Sequence, residues 1–347
     1  MTPEAPGRVR PVHSADHINF SRPLPVVDRN MMKNMSTFRA AAVQDSSVWL
    51  DLEATLDKTC QLIGEAAAGG ADIVAFPESF LPGFPYWVFT KPLNQTAELH
   101  RRLYDNAVQV PGPATERLGR ACAELNITAV VGVTERVAGR PGTLYNTNLV
   151  FGPDGTLLGK HRKLVATWGE RVTWTGGDGS TMGVFDTPWG PLGTLCCGEN
   201  LNTLARFALL AQGERIHVAN FPSASLAGAR HSAEELRLHV APHAYEGKLY
   251  SIVASDYGSK EIADELGLDF EVAPGTYNSI SGIMGPKGEW VTPPLVDQPG
   301  IVYADCPIDP VIEGKLFHDI IGHYNRFDVF RLEVNTKEQS AIELVER

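Results

Sequence analysis

Several short apolar runs constrain the fold more than any other feature of the sequence. They include ADIVAFPE (71–78), ITAVVGVTE (127–135), IHVANFPS (216–223) and LYSIVASDYG (249–258). Runs of this length, rich in valine, isoleucine and alanine and bounded by glycine, proline or charged residues, are typical of buried β-strands. Segments of helical period lie between them, such as 52–67, where apolar residues recur at steps of three and four. The alternation predicts a layered α/β or α+β domain.

Three turn sequences between apolar arms add hairpins to this pattern. Residues 144–164 carry a Pro-Asp-Gly turn, residues 184–197 turn at Pro-Trp-Gly-Pro, and residues 279–291 carry a Pro-Lys-Gly turn. The sequence shows no strong linker after this point, so we expect one large catalytic domain over residues 37–310 and a C-terminal extension over 311–347. Residues 1–36 are rich in proline and polar residues and have no clear period, which predicts an N-terminal arm that is disordered when alone.

Composition and charge exclude several classes of protein. Of the 347 residues, 43% are hydrophobic and 20% are charged, which is typical of a globular chain and not of a disordered or fibrous one. The formal net charge of −11 disfavours nucleic acid and anionic membranes as partners. The sequence has neither an apolar run long enough to span a membrane nor the apolar core of a secretory signal. Five cysteines without a CxxC pair predict a reducing, cytoplasmic setting.

The stretch LGTLCCGEN (192–200) places two adjacent cysteines where a strand is expected to meet a helix. Cys196 belongs to the apolar run and is predicted to be packed. Cys197 falls on the turn, where the backbone N–H groups of a helix start favour a thiolate and a developing anion. Gly198 lets the backbone bend and approach a ligand closely. Because free cysteines are most often buried structural thiols, the pair alone leaves both interpretations of Cys197 open.

Two distant stretches offer partners for such a thiol. Glu78 ends an apolar strand, and a carboxylate above an apolar pocket can act as a general base. Lys163 follows a basic strand, with Glu170 seven residues further on. Taken singly, Glu78 is equally consistent with a solvated loop residue, and Lys163 with an exposed strand and a loop salt bridge.

An aromatic segment after Glu78 is expected to border the pocket. In FPYWVFTKPLNQTAELHRR (84–102), Tyr86, Trp87 and Phe89 suggest an apolar wall for the substrate.

Three stretches together resemble the motifs of the nitrilase branch of the carbon–nitrogen hydrolase superfamily. They are FPESFLPGFP (76–85), KHRKLVATWGER (160–171) and CCGEN (196–200), in that order along the chain. The resemblance extends from about Phe38 to Asn335. Three positions depart from the family pattern: Phe84 stands where tyrosine is usual, Ala166 where proline is usual, and Gly198 where tryptophan usually follows the nucleophile.

The resemblance implies a four-layer α-β-β-α sandwich and a cysteine–glutamate–lysine catalytic set. Position by position, Cys197 matches the nucleophile, Glu78 the general base and Lys163 the cation that stabilises developing negative charge. Glu170 matches a second carboxylate that positions the lysine or the substrate. No metal or organic cofactor is implied. Family members assemble as dimers that continue into spirals or filaments, so we expect a homo-oligomer in which residues after about Pro310 help contacts between subunits.

The expected reaction is hydrolysis of a small organic nitrile to the carboxylic acid and ammonia, through a thioimidate and then a thioester on Cys197. Gly198, Tyr86 and Trp87 are the expected substrate-binding residues. Close alternatives are a nitrile or cyanide hydratase that releases an amide, and an amidase of the same superfamily. More distant ones are a papain-like hydrolase that pairs a cysteine with a histidine such as His217, and a filament-forming protein without catalytic activity.

Overall fold

The computed structural model describes residues 37–229, 231–268 and 272–339. The predicted N-terminal arm, residues 1–36, lies outside them. The strands are β1 (Thr37–Gln44), β2 (Ile73–Ala75), β3 (Val108–Gln109), β4 (Thr128–Arg136), β5 (Leu144–Phe151), β6 (Leu157–Arg162), β7 (Phe185–Thr187), β8 (Gly190–Cys196), β9 (Ile216–Phe221), β10 (Tyr250–Ser255), β11 (Ile280–Met284), β12 (Leu295–Val296) and β13 (Gly300–Pro307).

The helices are α1 (Leu52–Ala68), α2 (Trp87–Thr90), α3 (Ala97–Asp105), α4 (Pro113–Leu125), α5 (Thr203–Ala211), α6 (Ala233–Gly247), α7 (Lys260–Leu266) and α8 (Asp309–Lys315). Within the described residues, none of them is long and apolar enough to cross a membrane.

The strands form two sheets. The first has the order β13-β1-β2-β4-β5-β6, with β3 paired to β4, and the second has the order β12-β11-β10-β9-β8-β7. In each sheet the central strands run parallel, β1-β2-β4 in the first and β8-β9-β10 in the second, and the outer neighbours are antiparallel. Parallel strands are typically covered on both faces, and both sheets meet this requirement.

Alternate residues of the central strands face two different apolar layers, since successive side chains of a strand point to opposite faces. Ala40 and Ile73 of the first sheet pack against Val218 and Ile252 of the second. Their neighbours, such as Val74, pack instead against the helices on the outer face of the first sheet, through side chains that include Leu56, Ile63 and Leu118. On the other side of the molecule, Leu236 and Val240 of α6 cover Ala219 and Val253. The predicted α-β-β-α sandwich is thereby confirmed.

Local signals account for the ends of the first helix. The side chain of Asp51 accepts a hydrogen bond from the backbone N–H of Ala54 at 3.0 Å, which satisfies one of the free donors at the start of α1. Gly69 follows its last residue, as the sequence predicts.

Most of the predicted strands, helices and hairpins are present, and two strands depart from the sequence pattern. The arm expected after the Pro-Lys-Gly turn at 286–288 is reduced to a bridge between Met284 and Trp290. Strand β13 extends the first sheet by pairing antiparallel with β1 along its whole length. The expected domain boundary at residues 310–311 falls inside α8.

A close approach at Gly132 brings the segment that carries Glu78 against the first sheet. A Cβ atom on Gly132 would lie 2.2 Å from the carbonyl oxygen of Pro77 and 2.7 Å from the amide nitrogen of Ser79. Both atoms belong to the backbone, so a side chain there would push this segment away from β4. Glycine at position 132 is therefore needed for the placement of Glu78.

Candidate active site

Lys163 lies buried immediately after β6 and joins two carboxylates. Its side chain is 1% exposed, and its Nζ donates to Glu78 Oε1 at 2.8 Å and to Glu170 Oε2 at 2.7 Å. The backbone around it is held on both sides: its N–H donates to Asn146 O at 2.9 Å, and its carbonyl accepts from Gly177 N at 2.7 Å. Burial works to lower the pKa of Lys163, but the two carboxylates outweigh it and raise the pKa. The ammonium therefore stays charged.

Glu78 has one oxygen engaged and one free. Oε1 accepts from Lys163 and from Asn146 Nδ2 at 2.6 Å. Oε2 is buried and has no hydrogen-bond partner within the described part of the chain. Burial raises the pKa of Glu78 to about 7, against the opposing effect of Lys163, and the charge of Glu170 adds to the rise. A carboxylate with a free oxygen and a pKa near neutrality is suited to act as a proton acceptor.

Glu170 is held by the turn on which it sits. It lies in the 3₁₀ turn Trp168–Val172, and its Oε2 accepts from the backbone N–H of Thr167 at 2.8 Å while it also accepts from Lys163. This bond orients the carboxylate independently of the lysine. Two buried carboxylates thus face one ammonium.

Cys197 opens the 3₁₀ turn Cys197–Leu201, directly after β8. Its φ of +47° is in the left-handed region, which is uncommon for a residue with a side chain and occurs often at functional sites. Burial raises the pKa of the Cys197 thiol, and Glu78 raises it further, while Lys163 and the Gly198 N–H lower it. The sulfur is therefore a thiol at neutral pH and needs a base. Cys196 ends β8 and is fully buried, as predicted.

Glu199 connects the cysteine turn to the lysine segment, a role that the sequence analysis missed. Its Oε1 accepts from Leu164 N at 2.8 Å, and its Oε2 accepts from Cys196 N at 3.1 Å. The same Oε2 lies 2.9 Å from His161 Nε2. Because Leu164 follows Lys163 and Cys196 precedes Cys197, this carboxylate sets the spacing of the two segments. The motif CCGEN contains Glu199, but nothing in its spacing indicates this contact.

The three predicted substrate-binding residues lie in two different environments. Gly198 is partly exposed, and a Cβ atom built on it would have Thr167 Oγ1 as its nearest neighbour, at 3.7 Å. Tyr86 and Trp87 are fully buried in an aromatic cluster. The hydroxyl of Tyr86 donates to Asp256 and accepts from Ser223 N at 2.9 Å. Both side chains are therefore enclosed by their neighbours, and their direct contact with a substrate stays a prediction.

The turn that carries Glu170 begins with an exposed aromatic side chain, Trp168. Trp168 is 76% exposed and stacks on Phe89 with ring centroids 5.7 Å apart. Phe89, which the sequence analysis assigned to the apolar wall, stacks in turn on Phe84.

His217, the candidate for a cysteine–histidine pair, has a glutamate and an asparagine as its ring-nitrogen partners. Its Nδ1 lies 2.7 Å from Glu214 Oε1 and its Nε2 lies 2.8 Å from Asn200 Oδ1, so both ring nitrogens are occupied. Glu214 also bonds His243 Nε2 at 2.7 Å. In the described part of the chain, Glu214, His217 and His243 are the one group whose potential metal-ligand atoms lie within 4.8 Å of one another. Their hydrogen bonds to each other already engage the carboxylate.

Comparisons with known proteins show which family the chain is similar to. The family model for carbon-nitrogen hydrolases matches residues 39–315. The chain is 36% identical over 315 residues to a nitrilase from Bacillus sp. (strain OxB-1), an alignment that covers 90% of this chain and 92% of that protein. It is 38% identical over 316 residues to an aliphatic nitrilase from Sinorhizobium fredii (strain HH103), with 89% of this chain and 99% of that protein covered.

Solved structures share the fold at low sequence identity. A carbon-nitrogen hydrolase from Helicobacter pylori G27 superposes with a TM-score of 0.63 at 17% identity, over 82% of this chain and 93% of that one. Nit3 of Saccharomyces cerevisiae, a member of branch 10 of the nitrilase superfamily, superposes with a TM-score of 0.62 at 17% identity, over 81% of this chain and 94% of that one.

Proposed function

The chain belongs to the nitrilase branch of the carbon–nitrogen hydrolase superfamily, and on this premise we propose that it hydrolyses an organic nitrile to the carboxylic acid and ammonia. The observation that carries the proposal is the buried Lys163, bonded to Glu78 and Glu170 and within electrostatic reach of Cys197. This arrangement supplies a nucleophile, a base and a fixed positive charge. The relatives named nitrilases support a nitrile as the substrate.

In the first half of the reaction, Cys197 adds to the nitrile. Glu78 takes the thiol proton, since its Oε2 is free to accept it. The sulfur then forms a bond to the nitrile carbon, and one pair of electrons of the C≡N bond moves to nitrogen. Glu78 returns the proton to that nitrogen, which gives a thioimidate and leaves Glu78 ionised for the next step. Lys163 and the Gly198 N–H stabilise the negative charge that develops on nitrogen.

In the second half, two waters are consumed. Glu78 removes a proton from the first water, which adds to the thioimidate carbon, and the protonated nitrogen leaves as ammonia. The resulting thioester accepts a second water, and cleavage of the carbon–sulfur bond releases the acid and restores the thiol. If the tetrahedral intermediate expels sulfur before ammonia, the product is the amide, so product analysis distinguishes a nitrilase from a hydratase.

Replacement of Cys197 by alanine tests the nucleophile. We expect ammonia release from a panel of aromatic, arylaliphatic and short aliphatic nitriles and cyanide to fall by about 10⁴-fold or more. Glu78→Gln and Lys163→Ala are expected to lose about 10²-fold or more, because the base or the fixed charge is removed. Ammonia, acid and amide are quantified for each nitrile.

The matched control is Cys196→Ala, which removes the neighbouring thiol from the same junction. It should keep the wild-type product ratio. Wild-type ammonia release by Cys197→Ala, or its loss in Cys196→Ala with the fold intact, would show that the nucleophile is wrongly assigned. Release of amide but no ammonia from every nitrile would make the enzyme a hydratase, and activity on amides alone would make it an amidase.

Gly198 is proposed to leave open space beside the sulfur. Since the nearest atom to a Cβ there is Thr167 Oγ1 at 3.7 Å, a larger residue can enter this space without displacing the reacting groups. Gly198→Trp is expected to change relative rates across the nitrile panel by about tenfold, while the most favoured nitrile is still hydrolysed. An unchanged profile would remove Gly198 from the substrate pocket.

Self-association is proposed from the C-terminal segment. Ile312, Leu316, Phe317 and Phe330 are all exposed, and large apolar side chains left exposed in one segment are suited to contacts between subunits. We expect light scattering of the wild type to give a dimer or a larger assembly, and Leu316→Ser with Phe330→Ser to reduce its size. A wild-type monomer with full activity at assay concentration would contradict this. The cytoplasmic location stays a prediction of the sequence, which cell fractionation tests.

A further inference from the structure

The turn that carries Cys197 is held in a conformation that its own sequence does not favour. The left-handed φ of +47° at Cys197 is unfavourable for a residue with a side chain. Gly198, the next residue, has no side chain to restrict rotation of the peptide between them. Side-chain contacts must therefore hold this peptide in one orientation.

Asn200 provides the direct restraint. Its Nδ2 donates to Cys197 O at 2.9 Å and to Leu195 O at 3.2 Å. These two carbonyls lie on either side of Cys196, so one amide group joins the end of β8 to the turn. The Cys197 carbonyl and the Gly198 N–H belong to the same planar peptide and point in opposite directions. The bond to Cys197 O consequently sets the direction of the Gly198 N–H.

His217 and Glu214 fix the orientation of Asn200. Because its NH₂ group faces two carbonyls, the amide oxygen must face His217, whose Nε2 lies 2.8 Å away and therefore donates. The other ring nitrogen lies 2.7 Å from Glu214 Oε1. Glu214 Oε2 in turn lies 2.7 Å from His243 Nε2. Glu214, His217 and His243 are fully buried.

This chain of contacts spans three elements of the fold. His217 is on β9, His243 is on α6, and Glu214 is in the loop that precedes β9. The turn is thus anchored to a sheet and to the helix that covers it. No part of the chain of contacts reaches the sulfur itself, so it can act only through the backbone of the turn.

We propose that Asn200 and His217 are positioning residues that aim the Gly198 N–H at the charge developing on the substrate, with Glu214 and His243 anchoring them. The proposal rests on the proposed function, since it concerns the donor used in that reaction. An oriented N–H that acts mainly in the transition state contributes to kcat and little to KM.

Asn200→Asp tests the restraint at nearly constant size. The new side chain can still accept from His217, but it presents an oxygen to the carbonyls of Leu195 and Cys197, so the bond to the peptide is lost. We expect kcat for the best nitrile of the panel to fall by about 10–100-fold and KM to change by less than about threefold. Asn200→Ser, whose hydroxyl is too short to reach both partners, is a second variant without an added charge and is expected to lose kcat similarly.

A double variant distinguishes positioning through one peptide from two separate effects. Asn200→Ser with His217→Phe should lose no more kcat than the worse single variant, because both act on the same peptide. Independent, multiplicative losses would contradict the proposed chain of contacts.

Tyr250→Phe is the control for general loss of stability. It removes the hydrogen bond from the Tyr250 hydroxyl to Pro307 O, 2.9 Å long, at the other end of the parallel strands from Cys197. It should lower Tm without changing kcat. The acid-side midpoint of kcat/KM should stay at its wild-type pH in Asn200→Ser, because burial, Lys163 and Glu170, which set the pKa of Glu78, are unchanged.

Two results would overturn the proposal. The first is a folded Asn200→Asp or Asn200→Ser enzyme with wild-type kcat. The second is a kcat loss accompanied by a shift of that midpoint, which would place the defect at Glu78 and its partners. Failure of the wild type to cleave any nitrile would instead overturn the proposed function.

Discussion

The ammonium of Lys163, buried between Glu78 and Glu170, is the interaction on which the rest of the site depends. A buried charge without partners is too costly to keep, so this lysine requires carboxylates within hydrogen-bond distance, and it has two. The second carboxylate leaves the group with an excess of negative charge. Burial raises the pKa of Glu78 to about 7, and that excess contributes a smaller part of the rise. One ion cluster therefore supplies both a fixed positive charge and a base that can lose its proton near neutral pH.

The sandwich brings the members of this cluster together from distant parts of the chain. Glu78 follows β2, Lys163 follows β6, and Cys197 follows β8 of the other sheet. Backbone contacts set their spacing more than side-chain packing does. Gly132 allows the Glu78 segment to lie against β4, and Glu199 holds the backbone on both sides of the gap between the lysine and the cysteine. Together these contacts bring the segments of Glu78, Lys163 and Cys197, which come from two sheets, into one site.

The layers of the fold could be predicted from the sequence because hydrophobic period and turn residues are local signals. The helix 52–67 and the Pro-Asp-Gly hairpin are examples, and both are present. Pairings between strands that lie far apart in the sequence could not be predicted in this way. Nothing local indicates that β13 joins β1, or that the strand expected after 286–288 shortens to a bridge at Trp290.

The same limit applies to the site. The resemblance of three motifs to the family pattern indicated Glu78, Lys163, Glu170 and Cys197, but alternation along β6 could not decide whether Lys163 or Arg162 points inward. The structure buries Lys163 and leaves Arg162 on Glu135. Asn146, Glu199 and the contacts of His217 depend on three-dimensional neighbours, so no spacing in the sequence could reveal them. Tyr86 and Trp87 were predicted to bind the substrate, which stays a prediction; both are fully buried, and that burial depends on packing that the sequence does not display.

The pH dependence of kcat/KM for nitrile hydrolysis tests the central claim most directly, since it reports the ionisation of essential groups in the free enzyme. With the pKa of Glu78 raised to about 7, the base is protonated below that pH, so kcat/KM should fall on the acid side with a midpoint near pH 7. Because the charge of Glu170 contributes to the rise, Glu170→Gln should move this midpoint to lower pH in whatever activity it retains. A wild-type kcat/KM that stays constant down to about pH 5, close to where an ordinary glutamate titrates, would contradict the account.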